Sequence, residues 1–141
     1  YTASIPAALA NNAFYGSAKN GKISSVLRAE LAEAAVNVAL SEGHENQTYK
    51  LAGSTSWTLA DLAAEISKQT GKDIPYVDIP AADYAAALVQ AGLNEGFAGL
   101  IAQWDVDASN GALFSEDKTL DKLLGRPTAG LDVAVKQALD H

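Results

Sequence analysis

Residues 57–71, Trp-Thr-Leu-Ala-Asp-Leu-Ala-Ala-Glu-Ile-Ser-Lys-Gln-Thr-Gly, carry the clearest secondary-structure signal in the chain. Thr58 is a favourable N-cap residue, and Asp61 three positions later completes an imperfect capping box. Gly71 supplies a helix stop. Apolar side chains recur between them at helical spacing, so the segment predicts an amphipathic helix with one buried stripe. The expected members of that stripe are Leu59, Leu62, Ala63 and Ile66.

Two extended segments flank this helix. Residues 48–52 alternate in polarity and end at Gly53, and residues 74–79 run into Pro80. Strand, helix and strand in this order predict a right-handed βαβ unit with parallel strands. A third short strand is predicted at residues 22–26, where Ile and Val enclose two serines.

The rest of the chain is predicted to be mostly helical. The expected helices cover residues 4–12, 28–41, 81–91, 95–103, 116–124 and 131–139, separated by glycines or Gly-Pro pairs. The predicted fold class is therefore α/β, helix-rich, with two or three short strands that include the βαβ unit. So small a sheet is a poor centre for a self-standing α/β fold, and we expect it to extend or flank a larger sheet.

Composition excludes several classes of protein. The 141 residues suit one domain, and the absence of cysteine excludes disulfides and thiolate metal sites. A net charge of −7 argues against a nucleic-acid partner. No apolar run approaches a membrane span, and no secretory leader is recognisable, so a cytoplasmic location is expected. The chain starts at Tyr1 and has no methionine, which favours a piece of a longer protein.

Two motifs resemble functional sites, but the residues around each favour a structural interpretation. Tyr15 and Lys19 match the Tyr-x-x-x-Lys pair of many dehydrogenases, but Gly16 lies inside the motif and favours a turn over the required helix. Residues 105–116 resemble a calcium-binding loop, yet Asn110 occupies the position that requires glycine. The preferred interpretations are a loop and a capped interhelical connection.

The remaining candidates are weaker. His44 and His141 have no second ligand at a metal-binding spacing, and the glycines of residues 92–99 follow no strand as a phosphate loop would require. Most aromatic side chains are expected in the core. Arg28, one of two arginines, either pairs with Glu30 or another acid at the helix start, or anchors an anionic or carbonyl group in a pocket.

Four stretches together resemble a known family. They are Lys22-Ile-Ser-Ser-Val-Leu-Arg28-Ala-Glu30-Leu-Ala, Thr48-Tyr-Lys-Leu-Ala-Gly53, residues 57–72 and the tail of residues 113–127. In order and spacing they are similar to the C-terminal half of NmrA-like atypical short-chain dehydrogenases, in particular the NAD(P)H:quinone oxidoreductase type 2 group. The resemblance implies that residues 1–141 are the C-terminal substrate-binding part, and that an N-terminal Rossmann cofactor domain is absent from this chain.

That resemblance also carries functional expectations. It implies an enzyme using NADPH, or NADH, to reduce a quinone-like small molecule by hydride transfer, with the fragment alone inactive and binding no cofactor. Relatives that sense NAD(P) without turnover make a regulatory protein the alternative, and a free-standing calcium or interaction module is a third. The residues expected to border the substrate pocket are Tyr1, Phe14, Arg28, Trp104 and Phe114. No catalytic or metal residue is assigned, no membrane partner is expected, and the sequence leaves open whether the protein is a homodimer.

Overall fold

The computed structural model describes residues 1–140. This part of the chain contains seven α-helices and two short strands, joined by turns and loops. A 3₁₀ turn at Thr2–Ser4 precedes the first helix. In chain order the elements are α1 (Ile5–Asn11), β1 (Phe14–Gly16), α2 (Arg28–Ala39), α3 (Leu59–Thr70), β2 (Tyr76–Asp78), α4 (Ala81–Gln90), α5 (Glu95–Ser109), α6 (Thr119–Leu124) and α7 (Leu131–Leu139). The helix-rich α/β prediction is confirmed at this level.

Helix α3 has the ends and the buried face that the sequence predicts. The Thr58 hydroxyl accepts a hydrogen bond from the Asp61 N–H, while the Asp61 carboxylate accepts one from the Thr58 N–H at 2.8 Å. This completes the capping box. At the other end Gly71 has φ +70°, a left-handed conformation that glycine adopts without strain. The four predicted stripe residues are all buried.

The predicted βαβ unit is wrong. Residues 48–52 form no strand, and β2 instead pairs in parallel with β1, so that Phe14 lies opposite Tyr76. The sequence predicts no strand at residues 14–16. Residues 22–26 form no strand either, because their backbone bonds go to different segments. Ile23 bridges Trp57, whereas Ser24 bonds Leu113 and Gly53, so no ladder develops.

Two helix boundaries also differ from prediction. Helix α5 continues to Ser109, six residues beyond the predicted end at Gln103, because the backbone bonds persist until Asn110 and Gly111, where φ is +85°. Helix α6 begins only at Thr119, whose N–H is bound by the Asp117 carboxylate at 2.7 Å. The calcium-like segment therefore begins inside a helix.

The hydrophobic core lies around α3. Its stripe packs against β2 and α7, and the largest fully buried side chains are Ile5, Leu59, Leu62, Ile66, Ile74, Leu120 and Val135. Burial of each side chain of this size stabilises the fold by roughly 1.5–3 kcal/mol. One side of this core borders a cleft whose lining includes residues of α1, of the start of α2 and of α7.

Candidate functional site

A cleft of about 770 Å³ opens beside the core. The 3₁₀ turn, the segment before α2, Trp57 and helix α7 form its walls. The lining residues are Tyr1, Thr2, Ala3, Pro6, Ser25, Val26, Leu27, Arg28, Ala29, Thr55, Trp57, Ala129, Gly130, Leu131, Ala134, Gln137 and Ala138. The lining is mostly apolar with a few polar groups, the composition usual for small-molecule sites.

Two aromatic rings form one wall of this cleft. The Tyr1 ring stands edge-on to the Trp57 ring, with the centroids 5.7 Å apart and an interplanar angle of 86°. Trp57 is held in place because its backbone N–H and C=O both pair with Ile23, at 3.0 and 2.8 Å. The two rings meet at nearly a right angle, so they form an apolar corner of the cleft against which a planar ligand can pack.

Arg28 supplies the positive charge of the cleft. Within residues 1–140 no carboxylate lies at ion-pair distance from its guanidinium. Glu30 does not pair with Arg28. Its Oε1 accepts from the Arg126 guanidinium at 2.7 Å and from the Ala129 N–H at 2.8 Å, and its buried Oε2 has no hydrogen-bond partner among the described residues. The guanidinium of Arg28 is therefore available on the cleft wall.

The N-termini of α2 and α7 add to the positive electrostatic potential that Arg28 gives the cleft. Their N-cap residues, Leu27 and Gly130, both line the cleft and contribute no side-chain cap. The positive ends of both helix dipoles therefore face the same space. In the first turn of α7 the exposed Asp132 offsets part of that field, whereas Glu30 of α2 is already matched by Arg126. The stronger attraction for an anionic or carbonyl oxygen is thus at the start of α2.

A buried carboxylate lies behind the aromatic wall. Asp105 of α5 is only 2% exposed. It accepts hydrogen bonds from the Tyr1 hydroxyl at 3.2 Å and from the Ser17 N–H at 2.8 Å. Burial raises the pKa of the Asp105 carboxyl, and these two hydrogen bonds oppose the rise.

Three tyrosines around Asp105 are held neutral. Burial raises the pKa of Tyr84 to about 12, and the nearby Asp105 carboxylate adds to the effect. Burial and the same carboxylate also raise the pKa of the Tyr1 hydroxyl. For Tyr76, burial comes first and its hydrogen bond to Asp78 second in raising the pKa. All three are therefore neutral phenols near neutral pH, and the hydroxyls of Tyr1 and Tyr76 donate to Asp105 and Asp78.

The structure separates the five residues expected at the pocket. Tyr1 and Arg28 line the cleft. Phe14 is 3% exposed and belongs to the hydrophobic core. Trp104 is 46% exposed and packs edge-on to Phe97 on the outer face of α5, while the Phe114 ring lies beneath the Lys22 ammonium, 5.6 Å from it. The latter three are away from the cleft walls, and a ligand role for all five stays a prediction.

Sequence reasoning assigned neither Trp57 nor Asp105 to this site. Trp57 belongs to the hydrophobic core, as expected of most aromatic side chains, and it also borders the cleft. Asp105 was considered only as a calcium ligand. The signal that could have found it is a stripe of small residues at helical spacing, Ala98, Ala102 and Ala108, interrupted by a carboxylate.

The two motifs judged coincidental do not form sites. Tyr15 lies on β1 and Lys19 follows in a turn with φ +50°, so the two side chains do not share a helix face. Asp105 and Asp107 are helical, and residues 1–140 contain no group of three or more His, Cys, Asp or Glu that could hold a metal ion. His141 lies outside the described residues.

His44 lies in a hydrogen-bonded chain but is not positioned as a base. Its Nε2 lies 2.8 Å from the Ser41 hydroxyl and its Nδ1 lies 2.6 Å from the Tyr49 hydroxyl. Ser41 already donates to the Asn37 carbonyl, so the geometry assigns the Nε2–H as donor to Ser41. The imidazole therefore cannot deprotonate Ser41 in this arrangement.

Comparison with known proteins shows close relatives. The chain is 50% identical over 135 residues to Quinone oxidoreductase 2 of Escherichia coli, and 30% identical over 114 residues to the NAD(P)H azoreductase of Xenophilus azovorans. It covers 47% and 40% of those proteins, and is itself covered to 96% and 81%. The chain thus spans between 40% and 62% of the length of the curated relatives it matches. No protein-family model matches it.

Solved structures agree with the sequence relatives. The crystal structure of the NADPH-dependent quinone oxidoreductase from Escherichia coli, complexed with NADPH, superposes with a TM-score of 0.94 at 48% identity, over 99% of this chain and 49% of that one. A triphenylmethane reductase of Citrobacter sp. gives a TM-score of 0.93 at 34% identity, over 98% and 48%. Within residues 1–140, no helix has the length and apolar character of a membrane span.

Proposed function

We propose that this chain, which is homologous to about half of quinone oxidoreductase 2 and triphenylmethane reductase in the NmrA-like family, is the C-terminal, substrate-side part of an NAD(P)H-dependent oxidoreductase. The reaction is reduction of a quinone-like acceptor. The observation that carries the proposal is the cleft, in which an aromatic wall lies beside an unpaired arginine and two helix N-termini.

The acceptor side of this chemistry follows from the cleft. A quinone is flat and largely apolar, so it can pack against the apolar corner formed by the Tyr1 and Trp57 rings. Reduction places negative charge on a carbonyl oxygen. Arg28 and the start of α2 are suited to stabilise that charge, because the guanidinium has no ion-pair partner among the described residues and no side chain caps the helix N-terminus.

The dinucleotide is assigned to a domain outside these residues. Binding a pyrophosphate in the Rossmann manner requires a glycine-rich turn between a strand and a helix. Within residues 1–140, β2 is followed by Pro80 and α4 without glycine, and the glycines after β1 lead into residues 22–27 rather than directly into a helix. The described chain therefore does not fit the cofactor by itself, and the proposal derives only the acceptor's binding and orientation from it.

The test compares the full-length protein that carries this chain with the chain alone. The full-length protein is expected to bind NADPH and to consume it when a simple naphthoquinone is added. The isolated chain is expected to do neither. NADPH binding by the full-length protein without turnover would favour the regulatory alternative, and NADPH binding by the chain alone would refute the domain assignment.

A further inference from the structure

We propose that Asp105 is a positioning residue of the cleft, whose carboxylate holds the Tyr1 hydroxyl so that the Tyr1 ring stands against Trp57 as the aromatic wall. The consequence for acceptor binding rests on the proposed function. The consequence for the orientation of the ring does not, and the two are measured separately below.

Both oxygens of the carboxylate are engaged, and they connect different parts of the fold. One oxygen accepts from the Tyr1 hydroxyl at 3.2 Å, and the other accepts from the Ser17 N–H at 2.8 Å. Ser17 directly follows β1, so its hydrogen bond fixes the position of the carboxylate relative to the sheet. Tyr1 is thereby held in a defined position relative to the sheet, even though it precedes every regular helix.

The surrounding packing leaves the carboxylate little freedom. A Cβ atom built on Gly16 would lie 2.9 Å from the Asp105 Oδ2 and 2.8 Å from the Leu59 Cδ1. The carboxylate therefore lies directly against the backbone of β1, and only glycine permits this approach. The backbone of the strand thus restricts where Asp105, and through it Tyr1, can be.

Burying a carboxylate at this depth costs free energy unless hydrogen bonds or an opposite charge compensate for the lost water. Burial of a charged group disfavours folding, and an apolar side chain of similar volume often fits such a position at least as well. Two donors converge here, however, and an acidic side chain can accept from both through separate oxygens. The ionisable groups facing it are the hydroxyl and the terminal ammonium of Tyr1, with Tyr76, Tyr84 and Asp78. Among the described residues no lysine or arginine side chain acts on it.

Tyr1 transmits this constraint into the cleft. Its hydroxyl points to the buried carboxylate, while its ring belongs to the cleft lining and contacts Trp57 edge-on. A tyrosine fixed at its hydroxyl end keeps one ring orientation, whereas a phenylalanine at the same place is free to tilt. Asp105 therefore acts on the cleft through Tyr1 and touches no ligand itself.

The first experiment reads the ring orientation without any ligand. This experiment uses the 141-residue chain with Trp104→Phe, a change made only for spectroscopy. Trp57 is then the sole tryptophan of these residues, and its near-ultraviolet circular dichroism reports the contact with Tyr1. Tyr1→Phe and Asp105→Asn are both expected to weaken the Trp57 bands, and the double variant no further than either single one. Asp107→Asn on the same helix is the matched control and should leave the bands unchanged.

The second experiment measures acceptor kinetics in the full-length protein without the Trp104 change. Tyr1→Phe is expected to raise the KM for a naphthoquinone by up to about tenfold, the equivalent of one hydrogen bond to a charged group, and to leave the KM for NADPH unchanged. Asp105→Asn should raise the acceptor KM without adding to the effect of Tyr1→Phe. If the role of Asp105 were purely structural, both variants would be less thermally stable than the parent, but their acceptor KM would be unchanged.

The outcomes separate the two proposals. Unchanged Trp57 bands in Tyr1→Phe would overturn the positioning role, and this variant keeps the test decisive if Asp105→Asn fails to fold. Altered bands together with a parent protein that reduces no quinone would support the positioning role and overturn the proposed function. Altered bands with an unchanged acceptor KM would overturn the link between the ring and the acceptor.

Discussion

Helices α3 and α5 lie in the same small fold but are held there in different ways. In α3, 12 residues long, the buried face is wholly apolar. In α5, 15 residues long, the buried face consists of alanines and Asp105, while Phe97, Leu100 and Trp104 lie on the exposed side. The amphipathicity of α3 is ordinary, and that of α5 is close to inverted.

The difference shows two ways of fixing a helix. Helix α3 is defined by its own sequence through its cap, its stripe and its stop. Helix α5 packs mainly against α4, and one buried carboxylate on its alanine-rich buried face bonds Ser17 and Tyr1. The first arrangement provides stability, and the second places a side chain of the cleft.

The largest expected effect contrasts the apolar residues of the two helices. Leu62→Ala removes a fully buried side chain of α3 and should lower the free energy of unfolding by about 3 kcal/mol. Leu100→Ala removes a side chain of α5 that is 46% exposed, and should change it by less than about 0.5 kcal/mol. Urea denaturation measures both. Equal losses would mean that the outer face of α5 is packed and that the contrast is wrong.

The second prediction concerns glycines that contact or belong to α5. Gly16→Ala should cost about 1–3 kcal/mol, because the added methyl group overlaps Leu59 and the Asp105 carboxylate. Gly99→Ala is the matched control, since a Cβ there meets no atom within 4 Å and the substitution should gain up to about 1 kcal/mol of helix propensity. Thermal unfolding compares them. If Gly16→Ala caused no loss of stability, the close packing of Gly16 against Asp105, on which the anchoring of Asp105 depends, would be contradicted.

The third prediction tests whether the two helices differ at their caps. Thr58→Ala and Asn94→Ala each remove a side chain that accepts from a backbone N–H in the first turn, at 3.2 and 2.8 Å. Each should cost about 1 kcal/mol. If both variants lose a similar free energy of unfolding in denaturant, the two helices differ in their long-range contacts and not in their caps. A much larger loss for one cap would place the difference in local structure instead.

The fourth prediction concerns the pH dependence of Asp105. Because its pKa is raised in the folded state, the folded protein binds a proton here more tightly than the unfolded chain does. This carboxyl therefore favours folding at low pH, and the contribution is lost as pH rises from the ordinary carboxyl range through the raised pKa. Asp105→Asn removes that dependence, so its stability relative to the parent should rise with pH. A difference that is constant across this range would contradict the raised pKa.

Sequence alone predicted the parts of the fold that depend on neighbouring residues. The Thr58 cap, the stripe of α3, the stops at Gly71 and Gly125 and the start of α4 all follow from local chemistry. Strand β1 was missed because three residues ending in glycine give almost no signal, and their partner in β2 is far away in the sequence. The alternation in residues 48–52 gave a strong but misleading signal, since no neighbouring strand exists for them among the described residues.

The site was only partly predictable for the same reason. Arg28 could be placed at a helix start, but its freedom depends on Arg126 taking Glu30, a contact between distant parts of the chain. Asp105 is the opposite case, because its acidic side chain suggested solvent or metal and its burial depends on donors from Ser17 and Tyr1. Residues whose role depends on such distant partners are the ones that the sequence could not assign.

The most direct test of the central claim is the acceptor KM of the full-length protein when the charge in the cleft is removed. Arg28→Gln should raise the KM for a naphthoquinone about tenfold, through loss of one charged contact, with the KM for NADPH unchanged. Lys72→Gln, which removes an exposed cation away from the cleft lining, should leave both constants unchanged. An Arg28→Gln protein that binds and reduces the quinone as the parent does would contradict the assignment of this cleft to the acceptor.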